Sequence, residues 1–402
     1  MDAPEALGPR ARRAMPLIAG ALATIAVASL IYLHPALPTQ HSVLRIAPIP
    51  TPPVLPQRYL VSYDFLTATA GWALVEEATS GAPRFWVFKT VDAARHWQRE
   101  FTGSAMSTAA GPMKIQFFDR TNGLIALGGT GVVDRTSDGG AHWTAITTPT
   151  LSYSSLYFSD RLHGWILGTL PSPDPQRVPI FQFFSTSDAG DHWAVLPEPP
   201  AWQFAGKGGF ANFAFRSPRE GWMGGGTRDQ ATVYSTIDGG ITWQAHALPV
   251  TSGKGGFPAQ GGFFLADAGI YLLPEAGLLA TTTDDSGTPV GLTSFDGGST
   301  WRRLPPPPGN TSYGDFIFQD TFHWWAMRFG TLFKSSDAGQ SWKQVSVQLD
   351  DWDYVLHVID AGHAWAQLVA PLPQGNAFQG TGLATSGDGG AHWTPVKVPN
   401  PS

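Results

Sequence analysis

One eight-residue pattern recurs seven times and limits the possible fold more than any other feature of the chain. It carries Ser or Thr first, Asp third, glycine-rich residues next and Trp last. The copies are TSDGGAHW (Thr136, Asp138, Trp143), TSDAGDHW (Thr186, Asp188, Trp193) and TIDGGITW (Thr236, Asp238, Trp243). They continue as SFDGGSTW (Ser294, Asp296, Trp301), SSDAGQSW (Ser335, Asp337, Trp342) and SGDGGAHW (Ser386, Asp388, Trp393). A degenerate first copy, TVDAARHW, holds Thr90, Asp92 and Trp97. Successive Trp residues lie 46, 50, 50, 58, 41 and 51 residues apart. Self-similarity at such a period marks a repeat architecture.

A second signature precedes each copy: an apolar alternating run, a short turn, then Gly-Trp or a substitute. It is read at Trp72, Trp165, Trp222, Trp325 and Trp365, with Leu124 in the second unit and Ile270-Tyr271 in the fifth. Each unit then contains four strands, the box joining the third to the fourth. Four strands per unit of about 50 residues is the period of a propeller blade. The expectation is an all-β, seven-bladed β-propeller with four antiparallel strands per blade.

The chemistry of the pattern suits a tight reversal. Gly adopts positive φ without a Cβ penalty. The Asp carboxylate accepts N–H bonds of its own turn, and the Ser or Thr hydroxyl adds another. The Trp covers the turn, and a buried indole removes about 150–250 Å² from water. These seven Asp and seven Trp are therefore expected to be structural. His96, His142, His192 and His392 occupy one box position in four blades, which a ring keeps apart, so no shared metal ion is expected.

The N-terminus places the rest. Arg10, Arg12 and Arg13 precede an uncharged run from Met15 to Leu33. Nineteen residues at about 1.5 Å each approach the thickness of a hydrocarbon core. The expected order is a cytoplasmic tail at 1–14, a transmembrane signal-anchor helix at 15–33, a Pro-rich linker at 34–56 and the propeller at 57–399. The arginines keep the tail inside, putting the propeller on the extracytoplasmic side of the cell membrane. The alternative is secretion after cleavage near Ala26-Val27-Ala28. The chain has no Cys, which excludes disulfides, thiolate metal sites and a Cys nucleophile. A net charge of -6 gives no global basic field for nucleic acid. No cofactor is implied.

The repeated motif is the Asp-box, or BNR repeat. The chain resembles the photosystem II stability/assembly factor family over about 57–399, with the same Gly-Trp hairpin before each box. More distantly it resembles sialidase and sortilin propellers. The resemblance to the assembly factors implies a binding scaffold for a membrane protein subunit. Sialidases resemble six-bladed rings with an Arg-Ile-Pro motif in the first blade; here Arg45-Ile46-Ala47 lies in the linker, and the chain has seven Glu.

Variable loops on a rigid scaffold carry most binding. The boxes and Gly-Trp hairpins occupy one face, so the opposite face is the expected working face. Near-copies AGKGGF and SGKGGF place Lys207 with Phe210 and Lys254 with Phe257 there. They are candidates for a basic-aromatic contact with an acidic partner, against plain solvated crossovers between blades. Asp350, Asp351, Trp352 and Asp353 enter the last blade, and Asp284-Asp285 sits in the fifth. Paired carboxylates beside Trp suit glycosidase acids or calcium ligands, against a solvated turn. No catalytic set converges. The sequence thus reads as a membrane-tethered, protein-binding or assembly scaffold. The alternative is a sialidase-like glycoside hydrolase or carbohydrate-binding propeller, for which a glycan is the partner.

Overall fold

The computed structural model describes residues 57–400 except 79–83, 105–113, 128–130, 151, 171–179, 200–211, 227–229, 252–268, 285, 287, 310, 314–315, 329–330, 346–352 and 372–377. The expected membrane helix and linker lie outside the described residues.

The described residues form 28 strands in seven antiparallel blades of four. The blades span 57–104, 114–147, 152–195, 213–251, 269–303, 316–345 and 353–396. Within each blade the strands pair in chain order, as a four-stranded up-and-down sheet. The box turn joins the third strand to the fourth, and the first-to-second hairpin lies at the same end. The two are tied together: the N–H of Gly139 donates to Thr121 O at 2.8 Å, and that of Gly239 to Arg219 O at 2.9 Å. This end is called the box face below.

A four-stranded blade has two faces to bury and no helix to cover them, so the core lies between blades. Seven hydrophobic clusters fill the seven seams, each drawing on two neighbouring blades. The first blade shows how the pattern feeds two seams at once. In Arg84–Thr90 (RFWVFKT), Phe85 and Val87 face the second blade while Trp86 and Phe88 face the seventh.

The ring closes between the seventh and first blades without sharing a strand, each blade keeping its own four. Leu60 pairs with Gly380 in one bridge, which joins the two sheets into one of eight strands. Both strands shift register beside that bridge, in the manner of β-bulges. Side chains complete the closure. Phe65 stacks on Trp365 at 3.7 Å. Gln367 Nε2 donates to Leu60 O at 2.7 Å, Tyr63 Oη to Val355 O at 2.8 Å, and Trp97 Nε1 to Lys397 O at 3.0 Å.

The fifth blade corrects one expectation. Ile270 and Tyr271 belong to the first strand, Gly269–Leu272, and not to the Gly-Trp position. Leu278 pairs with Ser294, as Gly71 pairs with Thr90. Leu278-Leu279 therefore stands where other blades carry Gly-Trp.

Candidate functional site: the box face and its seams

Each box closes on its own Asp. In the second blade Thr136 Oγ1 donates to Asp138 Oδ1 at 2.9 Å and accepts the Gly140 N–H at 3.0 Å. The His142 N–H donates to Asp138 Oδ1 at 3.0 Å, and His142 Nδ1 lies 2.6 Å from Oδ2. The same bonds recur at Asp92, Asp188 and Asp388, with His96, His192 and His392. The His N–H bond, followed by the His side chain, holds Asp92, Asp188 and Asp388 down at about 2. These carboxylates are acceptors committed to their turns. Each His is held by its own box, and no group of three or more metal-ligating side chains forms among the described residues.

The deeper aromatic layer is the hairpin Trp. Trp72, Trp165, Trp222, Trp325 and Trp365 are at most 2% exposed, while six of the seven box Trp are only half-buried. Each hairpin Trp reaches into the next blade. Trp72, Trp165 and Trp222 donate Nε1–H to the carbonyls of Gly139, Gly239 and Gly297, in the next blade's box, at 2.8, 2.9 and 3.0 Å. Trp72 stacks on Phe117 at 3.6 Å, Trp165 on Phe215 at 3.6 Å, and Trp365 on Phe65 at 3.7 Å.

Each such Phe ends a first strand and lies flat on its own blade's Gly. A Cβ on Gly71 would meet the Phe65 ring at 2.3 Å, so the Gly of Gly-Trp is required by the ring above it. The opposite ring face takes the preceding blade's indole. The box Trp meets the same Phe edge-on, at 6.1–6.2 Å for Phe65, Phe117 and Phe215. A signal for this layer is present in the sequence: Phe65, Phe117, Phe158 and Phe215 each stand six residues before a hairpin Gly.

Two seams lack the indole. In the seam between the second and third blades, Leu124 occupies the Trp position, opposite Arg135. Phe158 keeps its Gly164 floor and its edge contact with Trp193 at 6.3 Å. No ring stacks face to face on it among the described residues; Phe118 approaches tilted by 53° at 6.2 Å. Arg135 takes over the polar role of the absent indole. Its guanidinium donates to Asp188 O and Ala189 O at 3.3 and 3.2 Å and to Asp191 Oδ1 at 3.0 Å. A groove of about 530 Å³ lies at this seam, lined by Phe118, Leu124, Arg135, Phe158, Arg161 and Leu162, and one of about 320 Å³ lies at the next seam, where Trp165 is present. Groove volume of this size suits a small ligand or a side chain. In the seam between the fifth and sixth blades, Leu279 occupies the Trp position, and Trp324 fills the space from the next blade's Gly position. Trp324 is fully buried against Phe318 at 5.0 Å and Phe316 at 6.0 Å.

Toward the ring axis, first strands of neighbouring blades bond through side chains. Asp64 Oδ2 accepts the Phe117 N–H at 2.6 Å, and Ser62 Oγ the Ile115 N–H at 3.2 Å. His357 Nδ1 lies 3.8 Å from Asp64 Oδ1 across the closure. Burial pushes the Asp64 carboxyl up and the His357 imidazole down. The pair is a latch of the closing seam.

Of the sequence-derived candidates, Lys207, Phe210, Lys254, Phe257, Asp350, Asp351 and Trp352 lie outside the described residues. Asp353 begins the inner strand Asp353–Val358, at the end opposite the boxes. Asp284 caps its own turn, accepting the N–H groups of Ser286 and Thr288 at 3.0 and 3.1 Å and pairing with Arg303 at 3.2 Å. Its oxygens serve the turn.

No protein-family model matches the sequence, and no curated protein matches it. By structure the chain is similar to YCF48 from Cyanidioschyzon merolae, at a TM-score of 0.52 and 14% identity, over 84% of this chain and 97% of that one. It is likewise similar to YCF48 bound to a D1 peptide, at 0.50 and 15% identity, over 82% and 93%. The GH74 enzyme of Niastella koreensis aligns at a TM-score of 0.33 and 12% identity, over 83% of this chain and 75% of that one. At these identities the shared property is the fold, which agrees with the resemblance read from the boxes.

Proposed function

We propose that the protein is a membrane-tethered, extracytoplasmic scaffold that binds a protein partner. The observation that carries this reading is the single propeller, similar in fold over nearly its whole length to YCF48, which has a structure with a bound peptide. On the box face of this chain the box carboxylates are committed to turns. What that face offers a ligand is shape, in the form of grooves at the seams, of about 530 Å³ between the second and third blades and about 320 Å³ between the third and fourth. The tether is the apolar run Met15–Leu33 behind Arg10, Arg12 and Arg13. The first described strand begins at Gln57, at the end of the first blade opposite its box.

Two measurements test this. Fractionation should place the full chain with membranes and a chain lacking residues 1–34 in the soluble fraction; a soluble full chain contradicts the tether. Cross-linking of the full chain in its own membranes should give a discrete protein adduct. No adduct, together with hydrolysis of a glycan by the purified chain, contradicts the scaffold reading.

A further inference from the structure

The fifth blade leaves its outer strand on a run found nowhere else in the chain, Arg302-Arg303-Leu304-Pro305-Pro306-Pro307-Pro308-Gly309. The strand itself is only Arg302–Arg303. The Leu304 N–H still bonds Gly291 O at 2.8 Å, and the prolines that follow have no N–H with which to extend the ladder. Proline fixes its own φ at about −65° and holds the residue before it to extended backbone. Leu304, Pro305, Pro306 and Pro307 each precede a proline, so the run is a polyproline II rod with about three residues per turn.

The rod is seated along one edge and clamped at its ends. Leu304 is 4% exposed in the core of the fifth-to-sixth seam, and Pro307, one turn on, is half-buried. Pro305 and Pro308 flank that edge half-buried, and Pro306 stands exposed. Tyr313 Oη donates to Pro305 O at 3.0 Å, and the Thr311 N–H and Oγ1 donate to Pro308 O at 3.1 and 2.6 Å. Gly309 ends the rod at a φ of 57°, where a Cβ would stand 2.9 Å from the Phe333 ring. The carbonyls of Pro306 and Pro307 receive no hydrogen bond among the described residues. Arg303 is paired with Asp284 at 3.2 Å, whereas the Arg302 guanidinium is exposed and forms no hydrogen bond or ion pair among the described residues.

We infer that this rod is a ligand for an aromatic-lined groove on a partner protein, with an acidic side chain at the groove's end to meet Arg302. Such grooves take Pro-x-x-Pro segments in the polyproline II form. With the Leu304 edge turned into the core, the edges of Pro305 with Pro308 and of Pro306 remain for the groove. Arg302 continues the spacing as Arg302-x-x-Pro305-x-x-Pro308, which places a free cation beside the rod. The open carbonyls of Pro306 and Pro307 are acceptors for the N–H or O–H of a groove Trp or Tyr. Because the rod is already ordered, binding it loses little conformational freedom. The inference rests on the protein-binding reading above and names the chemistry of the partner.

The test titrates the full chain, in detergent, into an isotope-labelled SH3 domain chosen for binding Arg-x-x-Pro-x-x-Pro peptides, as a probe of the rod. The expected result is a saturable shift of the signals of the domain's aromatic groove. Arg302→Glu should weaken binding by about tenfold or more, because it sets like charge against the groove's acidic end. Pro306→Asp should weaken it by about threefold or more, by loosening the rod. Both side chains are exposed, so either variant serves if the other does not fold. No shift, or binding undiminished in both variants, overturns the rod; the latter result assigns binding to the Pro-rich stretch at 34–56. Cross-linking of the full chain in its own membranes separates the two readings. A partner captured by the wild-type chain and lost by Arg302→Glu and Pro306→Asp supports the rod. A partner captured equally by all three overturns the rod and leaves the scaffold reading standing. No partner with any of them overturns both.

Discussion

The second-to-third and fifth-to-sixth seams have lost the same residue, and they have met the loss differently. Both carry Leu where a hairpin Trp is usual, Leu124 in one and Leu279 in the other. In the later seam Trp324 comes from the facing blade and closes the gap, with Phe316, Phe318 and Trp342 around it. Gly339 makes the room: a Cβ there would stand 2.4 Å from the Trp324 ring. In the earlier seam the facing position is Gly164, and the buried cluster shrinks to Leu124, Ala126, Val133 and Phe158. Packing density is a property of the seam as a whole. A lost indole is replaced by another only where the facing blade supplies one.

The comparison predicts its own breaking points. Trp324→Ala should cost about 3–5 kcal/mol in urea unfolding, because a fully buried indole leaves a cavity that the strands cannot collapse. An effect no larger than that of Leu124→Ala would contradict the claim that Trp324 fills its seam. Thr136→Val tests the staple beside the groove. It removes the acceptor of the buried Gly140 N–H and should cost about 1–3 kcal/mol. The equivalent Ser335→Ala in the sixth blade should cost a similar amount by the same measurement, since the box is alike in both seams even though the packing is not.

Acid should weaken all boxes together. Asp92, Asp188 and Asp388 titrate at about 2 when folded, below their ordinary value. A depressed carboxylate adds stability above its unfolded pKa of about 3.9 and loses it as pH falls toward the folded value. The urea midpoint should therefore hold from pH 7 to 5 and fall between about pH 4 and pH 2. Asp64 acts in the opposite sense: its carboxyl is raised by burial, so its protonated form favours the fold. Asp64→Asn should accordingly flatten the pH profile little on the acid side, and a large flattening would assign the acid transition to the closing seam.

Much of this was legible in the sequence. Seven boxes with Trp at regular spacing gave the number of blades, their strands and the face that carries the turns. The spacing of Asp and His within one box is that of residues bonded within a single turn, and each box His does bond to the Asp of its own repeat. The fifth blade misled because Leu278-Leu279 has neither the Gly nor the Trp of the hairpin. The nearest apolar pair upstream, Ile270-Tyr271, took its place in the reading. The weight of the aromatics was also misjudged. The boxes drew attention to the half-buried Trp, while the ring is fastened by the hairpin Trp and the Phe six residues before each Gly. The groove was legible only in part. Leu124 is visible as a missing Trp, but Leu279 is too, and which seam regains an indole depends on Gly164 and Trp324 across the sheet boundary. Periodicity within a repeat does not report on contacts between repeats.

The most direct test is a matched pair of substitutions, Leu124→Trp and Leu279→Trp, followed by urea unfolding at pH 7. Filling the open seam should stabilise the chain by about 0.5–2 kcal/mol. Adding a second indole to the filled seam should destabilise it by about 1–3 kcal/mol, through overpacking against Trp324. Opposite signs are the predicted result. Equal effects of the same sign would show that the two seams are packed alike, and would contradict the claim that only the fifth-to-sixth seam has regained an indole.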